Sequence, residues 1–345
     1  MSSIENDNRD VFLFINKVCN LKLNNLEFPG YQPVSLGLSN ISSLQGFSDK
    51  SLLEYFISYK ADGERAYLGF KRVGDKNRCF ILFRSGKLVF IKLSVSESTY
   101  NGTLFDIEIL ENDHMMLFDC IVINGKTCKS ECYPMRIEII KRFLEFQLKC
   151  MSVKLVKYLV CNKHLESKIM ITETFELSCK QIFKANMVRY LGESWWHKHD
   201  GFIWTLLNAD PIQNSICKKI FPVLKWKPPE KITIDFKVII SSTYIRDNDV
   251  KDLSVMLCKY RKFIVKGNTV KLLVMDKNKE IFFSSMKDID CESGKVYECR
   301  WVNNEWTPVK ARVDKRIPNS KKTAIHTIQN IIDNISLCDI QSVYE

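Results

Sequence analysis

The 345-residue chain lacks the cysteine patterns of a disulfide framework or a zinc site. Its 13 cysteines are an odd number, and they are scattered without any C-x-x-C pair. Cys128 and Cys132 are the nearest neighbours in sequence, and no histidine follows them at zinc-finger spacing. His197 and Asp200 stand together without a flanking cysteine, which argues against a structural zinc. Scattered free thiols are typical of a reducing compartment.

The sequence also lacks long apolar runs and a secretion signal. No stretch reaches the ~20 consecutive apolar residues that a membrane-spanning helix needs. The first residues, MSSIENDNRD, are acidic before the chain becomes apolar, whereas a signal peptide begins with a basic region. No internal repeat or low-complexity tract is present. We therefore expect a soluble intracellular protein that does not bind a membrane.

Acidic residues are fewer than basic ones, and this imbalance predicts an anionic partner. The chain has 51 Lys and Arg against 40 Asp and Glu, a formal net charge of +11. Such an excess is typical of proteins that bind nucleotides, nucleic acid or anionic membranes, although lysines can also simply solvate a surface. At roughly 150 residues per domain, the length predicts two domains.

Short strand-like runs dominate the pattern along the chain. Short β-rich runs with turn signals between them predict an antiparallel meander from residue 55 to 95, and two further strands are expected before the Asn-Gly turn at 124–125. Apolar spacing predicts helices over 10–23, 134–160, 178–191 and 320–337. Pro228-Pro229 predicts a linker. Beyond it, short strands at regular spacing, RKFIVKG among them, predict a small barrel.

The stretch SYKADGERAYLGF places Lys60, Asp62 and Arg65 around Gly63. A glycine at this point permits an unusual backbone conformation or a close approach that a side chain would block. A lysine can act as a nucleophile only as the free amine, and neighbouring cations favour that form. The pattern therefore predicts either a nucleophilic lysine or an exposed turn at the end of a strand.

The pattern K-x-D-G-x-R resembles the hallmark of the covalent nucleotidyltransferases, which comprise DNA ligases, RNA ligases and mRNA capping enzymes. Segments resembling the other family motifs follow in the family's order: LFDIEIL, LFDCIVING, DGFIW, LKWKPP with TIDF, and RVDKRIPN. FPGYQPVSL and EWTPVKARVDKRIPN resemble segments that capping guanylyltransferases carry and ligases lack. The resemblance spans about residues 28 to 335.

The resemblance implies an α+β fold in three parts. It predicts a nucleotidyltransferase domain of the ATP-grasp or ligase-like type, with antiparallel sheets, over residues 1–229. A small OB-fold β-barrel over 230–319 and a C-terminal helix over 320–345 would follow. The Pro228-Pro229 segment is where we expect the chain to bend when the domains close.

The resemblance also implies the residues of the site. Lys60 would be the catalytic residue that attacks the α-phosphorus of GTP. The residues expected to bind the nucleotide are Arg65, Arg84, Asp106, Glu108, Phe118, Lys225, Lys227, Arg312, Asp314 and Lys315. Asp200 and Glu108 would hold a divalent cation, Mg²⁺ or Mn²⁺, because hard cations prefer oxygen ligands. Asp106 and Asp119 would orient neighbouring side chains.

Several of these roles have alternatives. Arg65 and Arg84 would grip the ribose and phosphates with planar guanidinium groups, although Arg84 could be a surface residue beside a turn. Glu108 would bind a ribose hydroxyl or the metal. Phe118 would either stack on guanine or belong to the core. The family's third motif has glycine where this chain has Ile107, which would restrict close approach by a ligand.

The remaining cations would serve the phosphates. Lys225 and Lys227 alternate along one strand, so both would face the α-phosphate while Leu224 and Trp226 face the interior. Arg312 and Lys315 would meet the β- and γ-phosphates.

The function implied is that of an mRNA guanylyltransferase, which moves GMP from GTP onto the 5′-diphosphate end of RNA. An ATP-dependent polynucleotide ligase and a catalytically silent RNA-binding subunit of a capping complex remain alternatives. The resemblance also implies a separate RNA triphosphatase and the transcribing RNA polymerase as partners. It implies a nuclear location, or a cytoplasmic one if the source is viral.

Overall fold

A computed structural model describes most of the chain, in two compact units. The described residues are 3–19, 31–45, 54–111, 114–148, 152–156, 172–191, 197–212, 221–241, 269–286, 291–313 and 315–344. The first unit consists of residues 1–34 and 43–225, and the second of residues 35–42 and 226–345. Asp314 and the segment RKFIVKG lie outside the described residues.

The first unit is built around an eight-stranded sheet in the order β5-β4-β3-β6-β7-β10-β9, with β8 paired to β7. Its strands are β3 (Gly63–Val73), β4 (Lys76–Phe83), β5 (Leu88–Ile91), β6 (Thr103–Leu110), β7 (His114–Ile123), β8 (Lys126–Thr127), β9 (Ser152–Val156) and β10 (Thr172–Cys179). Neighbouring strands are antiparallel, except that β10 runs parallel to β7. The predicted meander is therefore only partly correct: its strands from residue 63 onward lie in this larger sheet, whereas its first strand, residues 55–61, belongs to the other sheet.

Helices cover both faces of this sheet. Helix α2 (Tyr133–Arg142) and the π-helical turn Phe143–Gln147 pack on one face, where Ile107 is fully buried. Helix α1 (Ser3–Cys19) packs on the other face, with Val11 buried near Tyr67. Because side chains alternate along a strand, each strand supplies both cores.

A second, five-stranded sheet has the order β1-β13-β12-β2-β11. Its strands are β1 (Val34–Ser35), β2 (Tyr55–Ala61), β11 (Phe183–Lys184), β12 (His199–Leu206) and β13 (Val223–Trp226). Short 3-10 helices stand at Ile41–Gln45, Glu97–Asn101, Ala185–Tyr190 and Pro229–Lys231. Lys60 lies at the end of β2, where the chain turns into β3.

The second unit contains a five-stranded antiparallel sheet in the order β16-β15-β14-β17-β18. Its strands are β14 (Thr233–Ser241), β15 (Thr269–Asp276), β16 (Lys279–Met286), β17 (Val296–Val302) and β18 (Glu305–Ala311). Among the described residues this order is an open path, so the predicted OB-fold barrel stays a prediction. One of the strands expected there, RKFIVKG, lies outside those residues.

Two helices follow this sheet where the sequence predicted one. Helix α3 (Lys321–Asp333) begins at Ser320, whose side chain accepts a hydrogen bond from the Thr323 backbone. It ends at Asn334, which adopts a left-handed conformation with φ 49°. Helix α4 (Leu337–Ser342) then begins with a capping box at Ser336. Polar residues that satisfy free backbone groups thus divide the predicted helix.

Two other helix predictions were wrong in extent. The helix expected over 134–160 ends by Gln147, and β9 follows. The helix expected over 178–191 is instead the end of β10, then β11 and a short 3-10 helix. Pairing of β10 with β7 and β9 outweighs the local apolar spacing there, because strand pairing satisfies the backbone groups. None of the helices described is both long and apolar enough to span a membrane.

Candidate active site

Lys60 is paired with a carboxylate from the neighbouring strand. Its Nζ lies 2.6 Å from Asp200 Oδ1, and both side chains are largely buried. Strands β2 and β12 pair His199 with Ala61 and Phe202 with Tyr59, so a bulge sets two residues opposite Lys60. Gly201, with φ 139°, provides the backbone conformation for this bulge. The bulge therefore places Asp200 against Lys60.

Gly63 has a steric reason to be glycine. A Cβ atom at this position would lie 2.4 Å from the Ile109 carbonyl oxygen and 2.9 Å from Glu108 Cγ. The register pairs Gly63 with Leu110, so strands β3 and β6 approach closely there. Absence of a side chain at residue 63 lets β6 bring Glu108 toward the turn that follows Lys60.

Arg65 is held by two parts of the first unit. Its Nε donates to Asp106 Oδ1 at 2.9 Å, and its Nη2 lies 2.5 Å from Asp106 Oδ2. Its Nη1 donates to the backbone carbonyl of Tyr31 at 2.5 Å. Burial opposes the charge of the guanidinium, but Asp106 outweighs that effect and raises the pKa of Arg65. Arg65 is therefore a fixed cation beside the site.

Glu108 and Lys180 add a second pair of ionisable groups near Lys60. Burial raises the pKa of Glu108 to about 7, against the opposing effects of Lys60, Lys180 and Arg65. Burial lowers the pKa of Lys180 to about 8, while the Glu108 carboxylate opposes that shift. Lys180 is only 6% exposed. Both groups can thus change protonation near neutral pH.

Phe118 owes its position to a β-bulge. Strands β6 and β7 pair Asp106 with Asp119 and Ile107 with Leu117, which leaves Phe118 as the extra residue. Its ring is half-buried, with the Arg65 guanidinium 5.5 Å and the Lys180 ammonium 5.3 Å from its centroid. The Phe118 ring therefore lies beside two cations of the cluster, with part of its surface exposed.

Ile107 does not obstruct this arrangement. It is fully buried among the residues that face α2, whereas Asp106 and Glu108 on either side of it face the opposite way. The expected restriction on ligand approach is therefore wrong, because the side chain points away from the site.

Three other predicted cations are Arg84 and Lys225 of the first unit and Lys227 of the second. Arg84 is exposed in the turn between β4 and β5, and the register pairs Ala66 with Phe83, one residue away. Lys225 and Lys227 are half-buried, while Leu224 and Trp226, which alternate with them along the chain, are buried, as predicted.

Arg312 and Lys315 meet at a carboxylate within the second unit. Arg312 Nη1 lies 2.9 Å and 3.0 Å from the two carboxylate oxygens of Asp235, and Lys315 Nζ pairs with Asp235 Oδ2. The Asp235 backbone also exchanges hydrogen bonds with Asn319 at 2.8 Å and 2.9 Å. The TIDF and RVDKRIPN segments are therefore one structural group, and Asp314 lies outside the described residues.

Sequence reasoning missed several residues of these clusters. Lys180 was placed inside a predicted helix, and its only sequence signal is a lysine directly after an apolar strand. Asp235 has a clearer signal, since a lone carboxylate interrupts the apolar strand TIDFKVII. The Tyr31 carbonyl belongs to FPGYQPVSL, but backbone atoms carry no sequence signal.

A preformed metal cage is not evident. Among the residues that the structure describes, no group of three or more His, Cys, Asp or Glu side chains could hold an ion. Mg²⁺ is commonly bound by one or two carboxylates together with substrate phosphates and water. Asp200 and Glu108 fit an ion that arrives with a nucleotide.

Comparisons with known proteins point the same way. The family model for the mRNA capping enzyme catalytic domain matches residues 1–229, and that for the mRNA capping enzyme C-terminal domain matches residues 231–340. An mRNA-capping enzyme of Caenorhabditis elegans is 26% identical over 93% of this chain and 49% of its own length. One from Danio rerio is 26% identical over 88% of this chain and 47% of its own length.

The mRNA-capping enzyme subunit alpha of Saccharomyces cerevisiae is 22% identical over 98% of this chain and 83% of its own length. This chain thus spans about half of the animal relatives and most of the yeast one. Two family models in sequence, covering nearly all of the chain, coincide with a lysine, carboxylate and arginine cluster at the K-x-D-G-x-R motif. The chain therefore belongs to the mRNA capping enzyme family.

Proposed function

We propose that the chain is a GTP:RNA guanylyltransferase that caps mRNA through a covalent Lys60–GMP intermediate. The observation that carries this proposal is the pairing of Lys60 with Asp200 at 2.6 Å, next to the fixed Arg65. A lysine held in one orientation beside cations and a half-buried aromatic ring suits attack on a nucleotide phosphate. Family membership supports a nucleotidyl-transfer role.

In the first step the Lys60 amine attacks the α-phosphorus of GTP. A nitrogen–phosphorus bond forms, the bond from the α-phosphorus to the bridging oxygen breaks, and pyrophosphate leaves. The amine gives up a proton, for which Asp200 is the carboxylate within hydrogen-bonding distance. Arg65 and Lys225 would oppose the negative charge that develops on the phosphate oxygens.

In the second step an oxygen of the RNA 5′-diphosphate attacks the same phosphorus. The nitrogen–phosphorus bond breaks, the amine regains a proton, and the product carries GMP joined to RNA through a triphosphate bridge. Phe118 would hold the guanine by stacking throughout, with Lys180 beside it as a donor. Guanine carries an acceptor oxygen where adenine carries an amino donor, so a lysine there favours guanine.

A divalent cation would offset charge on the phosphates when bound. Asp200 and Glu108 are the carboxylates that would hold it. Glu108 can also accept a hydrogen bond from a ribose hydroxyl. Burial raises the pKa of Glu108 to about 7, and a bound cation or hydrogen-bond donor would favour its charged form.

We assign the second unit to phosphate binding and, by resemblance, to the OB-fold. Arg312 and Lys315 would bind the β- and γ-phosphates, and Asp314 belongs to the same motif. The name "subunit alpha" of the yeast relative supports a second subunit in the complex, for which a separate RNA triphosphatase is our candidate. We further propose the transcribing RNA polymerase as a binding partner and the nucleus as the location of the chain.

The test is covalent labelling of the purified chain. It is incubated with Mg²⁺ or Mn²⁺ and either α-labelled GTP or α-labelled ATP, and the products are separated under denaturing conditions. We expect label from GTP that withstands denaturation, is located on Lys60 by mass spectrometry, and is absent in Lys60→Ala. Labelled GMP should then move to RNA bearing a 5′-diphosphate.

Lys60→Arg is the matched variant, because it keeps a cation beside Asp200 but no amine that can attack. It should abolish labelling as fully as Lys60→Ala. Labelling by ATP in place of GTP would indicate a polynucleotide ligase. Absence of label with either nucleotide, or label that persists in both Lys60 variants, would contradict the proposal.

A further inference from the structure

Arg136 is a buried arginine with no assigned role. It lies in the first turn of α2 and is 0% exposed. Its Nε donates to Asp119 Oδ1 at 2.6 Å, its Nη2 to Asp119 Oδ2 at 3.2 Å, and its Nη1 to the Glu131 carbonyl at 2.7 Å. All three guanidinium nitrogens are therefore occupied inside the first unit, and Arg136 itself cannot contact a nucleotide.

Asp119 connects Arg136 to the bulge that positions Phe118. The Asp119 Oδ1 atom accepts a second hydrogen bond, at 2.8 Å, from the backbone N–H of Cys120. That bond fixes the backbone directly after the bulge, where Phe118 is the extra residue. A bulge disrupts the ladder of backbone hydrogen bonds, so a side chain of the same strand that accepts a neighbouring N–H helps to hold the shape of the bulge.

The charges of this region come in matched pairs. Asp119 stands opposite Asp106 in the register; burial raises the pKa of Asp106, Arg65 opposes that rise, and the Asp119 charge adds to it. Arg65 pairs with Asp106, and Arg136 pairs with Asp119. If Arg136 were neutral, Asp119 would be an unmatched carboxylate that competes for Arg65. The guanidinium would then be drawn away from its place over the Phe118 ring.

Stability alone is a weak reason for such a pair. Burying two charges costs much of what their attraction returns, and well-packed apolar residues often stabilise a fold equally well. A buried ion pair is better explained where its geometry is needed. Here the Arg136–Asp119 pair adjoins the bulge that places the Phe118 ring, and Asp119 stands opposite Asp106, the partner of Arg65.

We propose that Arg136 is a positioning residue of the nucleotide site. It holds the Phe118–Asp119 bulge in shape and keeps Asp119 from competing for Arg65, so the base platform and its neighbouring cation are in place before GTP binds. This inference rests on the proposed function, because it concerns the affinity of that same site for a purine nucleoside triphosphate.

The experiment compares Arg136→Met, Arg136→Lys and the double variant Asp119→Leu with Arg136→Met. Each is assayed for thermal unfolding and for the kinetics of GMP adduct formation over a range of GTP concentrations. Arg142→Met is the matched control, since Arg142 lies on the same helix, 69% exposed, in a surface pair with Glu138. It should leave both measurements unchanged.

We expect Arg136→Met to raise the KM for GTP at least ~10-fold, with a smaller change in the rate at saturating GTP. Arg136→Lys should fall between Arg136→Met and the wild type, because a lysine keeps the charge but not the fork. The double variant should recover thermal stability, since it replaces the ion pair with apolar side chains. Its KM should stay high, because the bulge has lost its carboxylate.

A purely structural role makes the opposite prediction. If the double variant recovered both stability and KM, or if folded Arg136→Met kept the wild-type KM, the inference would be overturned. Should the single variants fail to fold, the KM of the double variant alone tests the inference.

Stabilisation of the wild type by GTP, read from its melting temperature, separates this inference from the proposed function.

A wild type that GTP stabilises but does not label would refute the proposed function. The Arg136 variants would then be judged by loss of that stabilisation. A wild type that GTP neither stabilises nor labels would overturn both proposals.

Discussion

The two cation clusters of the molecule differ in how their charges are matched. In the first unit Lys60, Arg65 and Arg136 each have a carboxylate of their own, namely Asp200, Asp106 and Asp119. In the second unit Arg312 and Lys315 share Asp235, so that trio carries one net positive charge. Matched pairs fix orientation, whereas a surplus cation attracts phosphate. Under the proposed function, this difference would separate the attacking lysine of the first unit from the phosphate-binding cations of the second.

Of the changes that test this comparison, removal of the shared Asp235 carboxylate should have the largest effect on the rate of GMP adduct formation. Asp235→Asn keeps the shape of the side chain but removes the charge that orients Arg312 and Lys315, and we expect this loss of orientation to outweigh the added positive charge. We expect GMP adduct formation at low GTP to fall roughly 10- to 100-fold, as loss of about 1.5–3 kcal/mol from a charged hydrogen bond implies. The rate of labelling at subsaturating GTP measures it.

Glu280→Gln is the matched control for this variant. Glu280 pairs with Lys237 at 2.7 Å on the same sheet and belongs to none of the motifs. It should label at the wild-type rate. Equal rates for Asp235→Asn and the wild type would show that the cluster does not serve the reaction.

The protonation of Glu108 should have an intermediate effect, on stability. Its pKa is raised from 4.5 to about 7 on folding, so between those values the folded chain holds a proton that the unfolded chain has released. The free energy of unfolding should therefore fall as pH rises through that interval, and Glu108→Gln should remove this part of the slope. Urea unfolding at several pH values measures both chains.

Lys180 should act in the opposite sense at higher pH. Its pKa is lowered from 10.5 to about 8, so the unfolded chain holds the extra proton and the free energy of unfolding should rise with pH across that interval.

Glu111→Gln is the control for Glu108→Gln, because Glu111 is 73% exposed. If Glu108→Gln kept the wild-type dependence of unfolding free energy on pH between pH 4.5 and about 7, the protonation of Glu108 would not be its cause.

The smallest effect is expected at the rim of the first cluster. Lys198 is 63% exposed and lies 3.3 Å from Glu111 and 3.7 Å from Asp62. Exposed ion pairs are screened by water, so Lys198→Ala should change the free energy of unfolding by less than ~0.5 kcal/mol. Chemical denaturation measures this free energy, and the rate of GMP labelling is measured beside it. If Lys198→Ala labelled tenfold more slowly than the wild type, Lys198 would have to be counted among the residues of the site.

Motif order was sufficient to find Lys60, Arg65, Glu108 and Phe118 as candidates, since each belongs to a short segment with a recognisable pattern. The pattern also identified the alternation of Lys225 and Lys227 with buried neighbours. It failed over 178–191, where apolar spacing suggested a helix and the chain forms strands. Local spacing cannot include pairing with β7, whose residues are remote in sequence.

The residue types and their order indicated the family, Lys60 as the candidate nucleophile and the division into strand-rich regions, because motif spacing and side-chain alternation are local properties. Folding settled which charges meet. Lys60 meets Asp200 across a bulge, Asp119 meets Arg136 of the following helix, and Asp235 meets Lys315 from 80 residues away. Such partners depend on strand register, and register is fixed only when a whole sheet buries its core.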